Sequence, residues 1–272
     1  MKLLILLITI TTTLTYSYGQ TKVHKQTSKI VEEGKLLYKS EMASWYGTDL
    51  FLEKFSDQRA NIGGYFSYSE NDVSKCVFFS KNENPNVIGT ITFDSTYNVK
   101  TAKVEGLERK FTETELVLYS IRKKALSIIN TDTLFKQYQN TSLNLIPIIS
   151  DKEKKVYVLT GPKNNGVVII GNDYLLKFDK EDNIIEKKQL HKNIIPITYG
   201  KGNEVAAVHS HLPETGDFIT STDICTLMLY EKFAKWKQHY VISENYVSIW
   251  DCGKDILAIM TRAAWDNMNK GK

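Results

Sequence analysis

Residues 206–223 read Ala-Ala-Val-His-Ser-His-Leu-Pro-Glu-Thr-Gly-Asp-Phe-Ile-Thr-Ser-Thr-Asp. An apolar run ends in His209-Ser210-His211, a loop follows, and Asp223 stands where a helix should begin. Alternate residues of a β-strand share a face, so His209 and His211 point one way and Ser210 the other. Two imidazoles on one face, with a carboxylate returned to them by the loop, are ligands for zinc with water in the open position. A helix start at Asp223 would also favour negative charge there. The same residues have a plainer reading, because Thr220-x-x-Asp223 is a capping box that needs no metal.

The elements that must hold these residues are readable on either side. A strand at Val205–His209 carries the histidines, and a helix from Asp223 to Trp236, with Ile224, Leu227, Met228 and Trp236 inward, carries the acid. Strands at Tyr240–Ser243, Tyr246–Trp250 and Ile256–Met260 close the chain. Upstream, Thr112 and Glu115 form a capping box for a helix with Leu118, Ile121, Ala125, Ile128 and Ile129 on one stripe. Strand-like runs follow at Leu143–Ile149, Val156–Leu159 and Val167–Phe178, with Gly171-Asn172 a bulge or turn and 179–183 a polar turn. Nearer the start, Val31, Tyr38, Met42, Trp45 and Leu52 predict a helix that Gly34 and Gly47 could break in two. Strands at 65–68, 76–79 and 87–93 then form a small meander. The expectation is an α+β fold, a mainly antiparallel sheet with flanking helices. Its parts are a helix and meander over 29–105 and a second domain over 112–264.

Residues 112–260 resemble the JAB/MPN-type metalloprotease domain, whose motif is a Glu, then His-x-His-Pro, a short loop and Ser-x-x-Asp. The resemblance implies zinc held by His209, His211 and Asp223, with Thr220 in the Ser position helping to hold substrate or oxyanion. Leu212 replaces the motif's Pro, the loop is one residue longer, and the Glu position falls near Asn144 or Asn165. That Glu would take the proton from zinc-bound water, a role worth about two to four powers of ten in rate. Glu214, beside His211, is the substitute candidate, while Glu204 lies on the far side of the strand. Two expectations follow: a zinc hydrolase of amide or isopeptide bonds, or a catalytically silent module that holds a peptide or envelope partner. A structural envelope protein without metal is the third.

Other chemistries fit poorly. Cys225 is followed by Thr226-Leu227-Met228, so the zinc-deaminase Pro-Cys-x-x-Cys is absent, as is Gly-x-Ser-x-Gly. Cys225 as a nucleophile would be buried in an apolar helix, where its thiol pKa rises. Gly161–Gly166 reads as a hairpin turn, and His191 and His239 read as isolated surface or edge histidines. Cys76, Cys225 and Cys252 read as buried free thiols, with one disulfide the other option. The 15 Tyr, 11 Phe and 4 Trp suit a β-rich core first and a carbohydrate-binding face second.

Residues 1–19 have the layout of a secretory signal peptide: Lys2, a short apolar run, then small and polar residues up to Gly19. The run is too short to span a membrane, so an exported protein, periplasmic or extracellular, is expected. Gln20 to Ser28 reads as a loose polar arm. A formal charge of +4, scattered along the chain, gives no basis for nucleic-acid binding.

Overall fold

Gly34 and Gly47 do not break the first helix; they let it approach its neighbours. In the computed structural model α1 runs unbroken over Lys2–Lys54. A Cβ at Gly34 would lie 2.7 Å from Ile224 Cβ, and one at Gly47 would lie 2.6 Å from Cys76 Cβ. The inward face is Leu37, Ala43, Leu50 and Phe51, whereas Trp45 of the expected stripe is 43% exposed. The structure describes the backbone of residues 2–150, 153–200 and 206–270, with side chains from residue 21 onward. The leader expected at 1–19 therefore lies outside the described side chains. The expected arm, in contrast, is helical: Thr27 is buried and its hydroxyl donates to Val23 O at 2.9 Å.

The meander forms as expected from β1 (Ile62–Glu70), β2 (Val73–Ser80) and β3 (Val87–Phe93), with a short β4 (Lys103–Glu105). Asn71 and Asp72 take φ of +50° and +60° at the first hairpin, the two left-handed positions a tight turn requires. Phe51 of α1 stacks on Phe78 at 4.0 Å and closes this sheet's core. Next comes α2 (Glu113–Ile129), whose capping box is complete in both directions between Thr112 and Glu115.

A second antiparallel sheet holds β5 (Thr141–Ser150), β6 (Glu153–Pro162), β8 (Tyr174–Phe178) and β9 (Ile184–Gln189), in the order β5-β6-β8-β9. The run 167–178 is cut where the sequence suggested. β7 (Val167–Gly171) leaves that sheet and pairs with β10 (Ile194–Thr198). Gly171 has φ +88° and lies against Asn193 O, which a Cβ would meet at 2.2 Å. Asn172 N donates to Asn193 O, and Leu190 N donates to Asp173 O. These two bonds tie the β7–β8 turn to the β9–β10 loop.

The last sheet is β11 (Ala206–Ser210), β12 (Gln238–Ile242), β13 (Tyr246–Asp251) and β14 (Ile256–Thr261), followed by α4 (Arg262–Asn269). β11 and β12 are parallel, so α3 (Ser221–Ala234) must cross over between them. The other pairs are antiparallel, and the fold is α+β. Behind the strand ends, Ile224, Leu227, Trp236, Val241 and Trp250 pack with Val168 and Ile170. Each such fully buried aliphatic side chain contributes roughly 1.5–3 kcal/mol. α1 joins this core through Ile30 and Val31, a second through Leu37 and the meander's through Ala43, so one helix serves both halves of the chain. No helix among the described residues is long and apolar enough to cross a membrane.

Candidate metal centre

β11 ends with His209 and His211 buried and Ser210 exposed, the alternation that strand geometry requires. His211 N donates to Ile242 O at 2.9 Å, which continues the parallel pairing past the end of β11. The loop that follows is held by the β12–β13 hairpin. Ser243 Oγ donates to Asp217 O, Asn245 Nδ2 donates to Asp217 Oδ1, and Ile219 N donates to Ser248 Oγ. α3 therefore begins against the strand ends, with Asp223 in its first turn and 1% exposed.

His209, His211 and Asp223 do meet. Asp223 Oδ2 lies 3.2 Å from His211 Nε2, Asp223 Oδ1 lies 3.6 Å from His209 Nε2, and the two Nε2 atoms are 3.1 Å apart. A fourth side chain joins them, one expected from the sequence to be an isolated surface or edge histidine. His191, in the loop between β9 and β10, is buried with Nε2 3.0 Å from His211 Nε2 and 3.6 Å from Asp223 Oδ2. These four buried residues offer one ligand atom each, all within 4.8 Å of one another, and could bind a metal ion. Zinc–nitrogen bonds of 2.0–2.1 Å in a tetrahedron put neighbouring ligand atoms about 3.3 Å apart. The five distances above scatter about that value.

Outer partners orient the rings. His191 Nδ1 donates to Asp173 Oδ1 at 2.7 Å, an Asp–His pair that leaves the Nε2 lone pair facing inward. His209 Nδ1 shares a hydrogen bond of 2.7 Å with His239 Nε2. His239 is fully buried on β12, a second correction to the expected surface or edge histidine. Asp173 and His239 were thus missed along with His191. The signal for His239 lay in its alternation with buried Val241; His191 and Asp173 had none.

The electrostatics suit a cation. Burial and the neighbouring rings push His209 down to about 4, and burial beside His209 takes His239 down to about 3, so both are neutral donors of lone pairs. Burial opposes charge on His191 too, but the carboxylates of Asp173 and Asp223 outweigh it and hold the ring up at about 9. Burial likewise opposes charge on Asp223, yet the three imidazoles hold its carboxyl well below the usual range. Asp223 Oδ1 and His211 Nδ1 are buried without a hydrogen-bond partner. The charges of Asp173 and Asp223 together balance one divalent ion.

The capping box and the cluster coexist. Thr220 N and Oγ1 both donate to Asp223 Oδ2, while Asp223 N donates back to Thr220 Oγ1. That uses the one hydroxyl proton that Thr220 could offer an oxyanion. Glu214 is exposed and paired with Lys192. Asn144 faces Glu41 on α1, and Asn165 is exposed in the β6–β7 turn. Glu204 lies outside the described residues. All three thiols are free and buried.

No family model, curated protein or solved structure matches this chain.

Proposed function

We propose that the protein is an exported, zinc-holding module related in design to the JAB/MPN domain, in which the metal braces the fold and hydrolysis is silent. The carrying observation is the fourth ligand. His191 stands with His209, His211 and Asp223 at the corner where a hydrolytic zinc keeps its water. Closed four-ligand sites are structural, and three of these side chains are 0–1% exposed. Among the described residues, neither candidate for the acid of the JAB motif reaches the cluster: Glu214 turns outward to Lys192, and Asn144 bonds to Glu41 in another pocket. The resemblance itself rests on the motif and the order of elements. A partner, peptide or envelope component, would be held elsewhere on the surface.

Metal analysis of purified protein tests this reading. Stoichiometric zinc in the wild type, its loss in His211→Ala, and no amide hydrolysis are expected. Near-zero zinc in both proteins would overturn it.

One observation favours a hydrolytic second reading. The side chain of His191 is 9% exposed, the most open of the four, and Asp173 already holds its Nδ1. A carboxylate-oriented imidazole can pass protons beside a bound metal, whose positive charge would oppose the ring's own protonation. Zinc on the other three residues would supply water activation and carbonyl polarisation. His191→Ala separates the two: in the first reading zinc affinity falls, while in the second zinc stays and amide hydrolysis disappears.

A further inference from the structure

A second polar pocket lies away from the metal ligands, between α1, the meander, the β5–β6 hairpin and the later turns of α3. It has a volume of about 220 Å³ and is lined by Glu41, Trp45, Tyr65, Asn144 and Tyr230, among others. Glu41 is half-buried and its carboxylate accepts one hydrogen bond, from Asn144 Nδ2 at 3.3 Å. Gly161 leaves room for that amide, which a Cβ there would meet at 3.1 Å. Within the wall Trp45 lies 6.2 Å from Tyr230, and from outside it Phe233 stacks on Trp45 at 6.1 Å.

Glu41 has no ion-pair partner among the described residues. The ionisable groups that feel its charge are Tyr65 on β1, Cys76 on β2, and Cys225 and Tyr230 on α3. All four are acids. The β5–β6 hairpin adds only the uncharged Ser142, Asn144, Gly161 and Pro162. A carboxylate placed in an aromatic pocket without an ion-pair partner is costly, and proteins normally pair such a group. Burial, only partly offset by the Asn144 hydrogen bond, accordingly pushes the Glu41 carboxyl up to about 7.

We propose that this pocket binds a small organic ammonium ion, with Glu41 as its counter-ion and Trp45, Tyr65 and Tyr230 as the cation-facing aromatic wall. The carboxylate supplies the charge, and the ring faces supply the sequence-independent attraction of π systems for cations. Binding needs ionised Glu41, so the complex tightens as pH rises through neutrality and sheds a proton into solution as it forms.

The test is a calorimetric and NMR titration of the full chain with n-butylammonium, using n-butanol as the uncharged control, at about pH 8 and about pH 5.5. Ammonium binding that shifts the Trp45 indole, is stronger at the higher pH, and falls about tenfold or more in Glu41→Gln is expected. Trp45→Leu, at a position already exposed to solvent, should weaken binding by about threefold and serves if Glu41→Gln fails to fold. Zinc content should be unchanged in both variants, which separates this site from the metal centre. Equal binding of butanol, equal affinity in wild type and Glu41→Gln, or no response of Trp45 to the ammonium would each overturn the proposal.

Discussion

Replacing Asp173 by asparagine leaves the β7–β8 turn its shape but removes the charge that holds His191. The bond lost is short, 2.7 Å, and both side chains are under a tenth exposed. A buried hydrogen bond to a charged group is worth about 1.5–3 kcal/mol, and about 1.4 kcal/mol corresponds to tenfold in affinity. Zinc should therefore bind about 10–100-fold more weakly, the range found when outer partners of ligating histidines are removed. Asparagine can still accept from His191 Nδ1, so Asp173→Asn should sit at the weaker end and Asp173→Ala at the stronger. Competition against a chromophoric chelator reads the affinity directly. Melting of the zinc-free proteins, run in parallel, separates a fold defect from a ligand defect. An affinity equal to wild type in Asp173→Ala would refute the assignment of His191 as a ligand oriented from behind.

Three further outcomes are expected. Removing the metal with a strong chelator should lower stability by about 4 kcal/mol if zinc is held at a thousand times its dissociation constant, or roughly 8–16 °C in Tm by scanning calorimetry. Gly34→Ala should destabilise the fold by about 1–3 kcal/mol in urea melts, despite the better helix propensity of alanine, because its methyl meets Ile224 at 2.7 Å; the strain reaches Asp223 next door, so metal affinity should fall too. Burial raises Glu41 to about 7 in the folded protein from an ordinary 4.5. Between those values the folded state binds more protons than the unfolded, so stability falls as pH rises from about 5 to about 8. Glu41→Gln should remove that slope and gain about 1–3 kcal/mol at the upper end, discounted for partial solvent contact. Parallel slopes in both proteins would contradict the raised carboxyl.

Local pattern was enough to define half of the candidate site. The two-residue repeat of a strand turns His209 and His211 inward whatever the rest of the chain does, and the capping-box spacing fixes Thr220 and Asp223 at a helix start. The same logic located α2, the β1–β3 meander and the cut at Gly171. It failed where neighbours decide. The glycines of α1 looked like breaks because propensity counts only what a residue does to its own helix, while here they admit Ile224 and Cys76. Spacing alone places Trp45 on the buried stripe, yet it is 43% exposed, because the face of α1 that packs inward is the one carrying Gly34, Leu37, Ala43, Gly47, Leu50 and Phe51.

The chain's own order of residues determined the strand end, the helix start and the types of ligand available. Only the tertiary structure decided how many side chains could hold a metal together. His191 sits in a loop among lysine and asparagine and carries no periodic signal. It becomes a fourth donor because Asn172 N to Asn193 O and Leu190 N to Asp173 O zip two distant loops together. Periodicity reports the orientation of a side chain relative to its own backbone; which backbones lie side by side is set by hydrogen bonds between segments far apart in sequence.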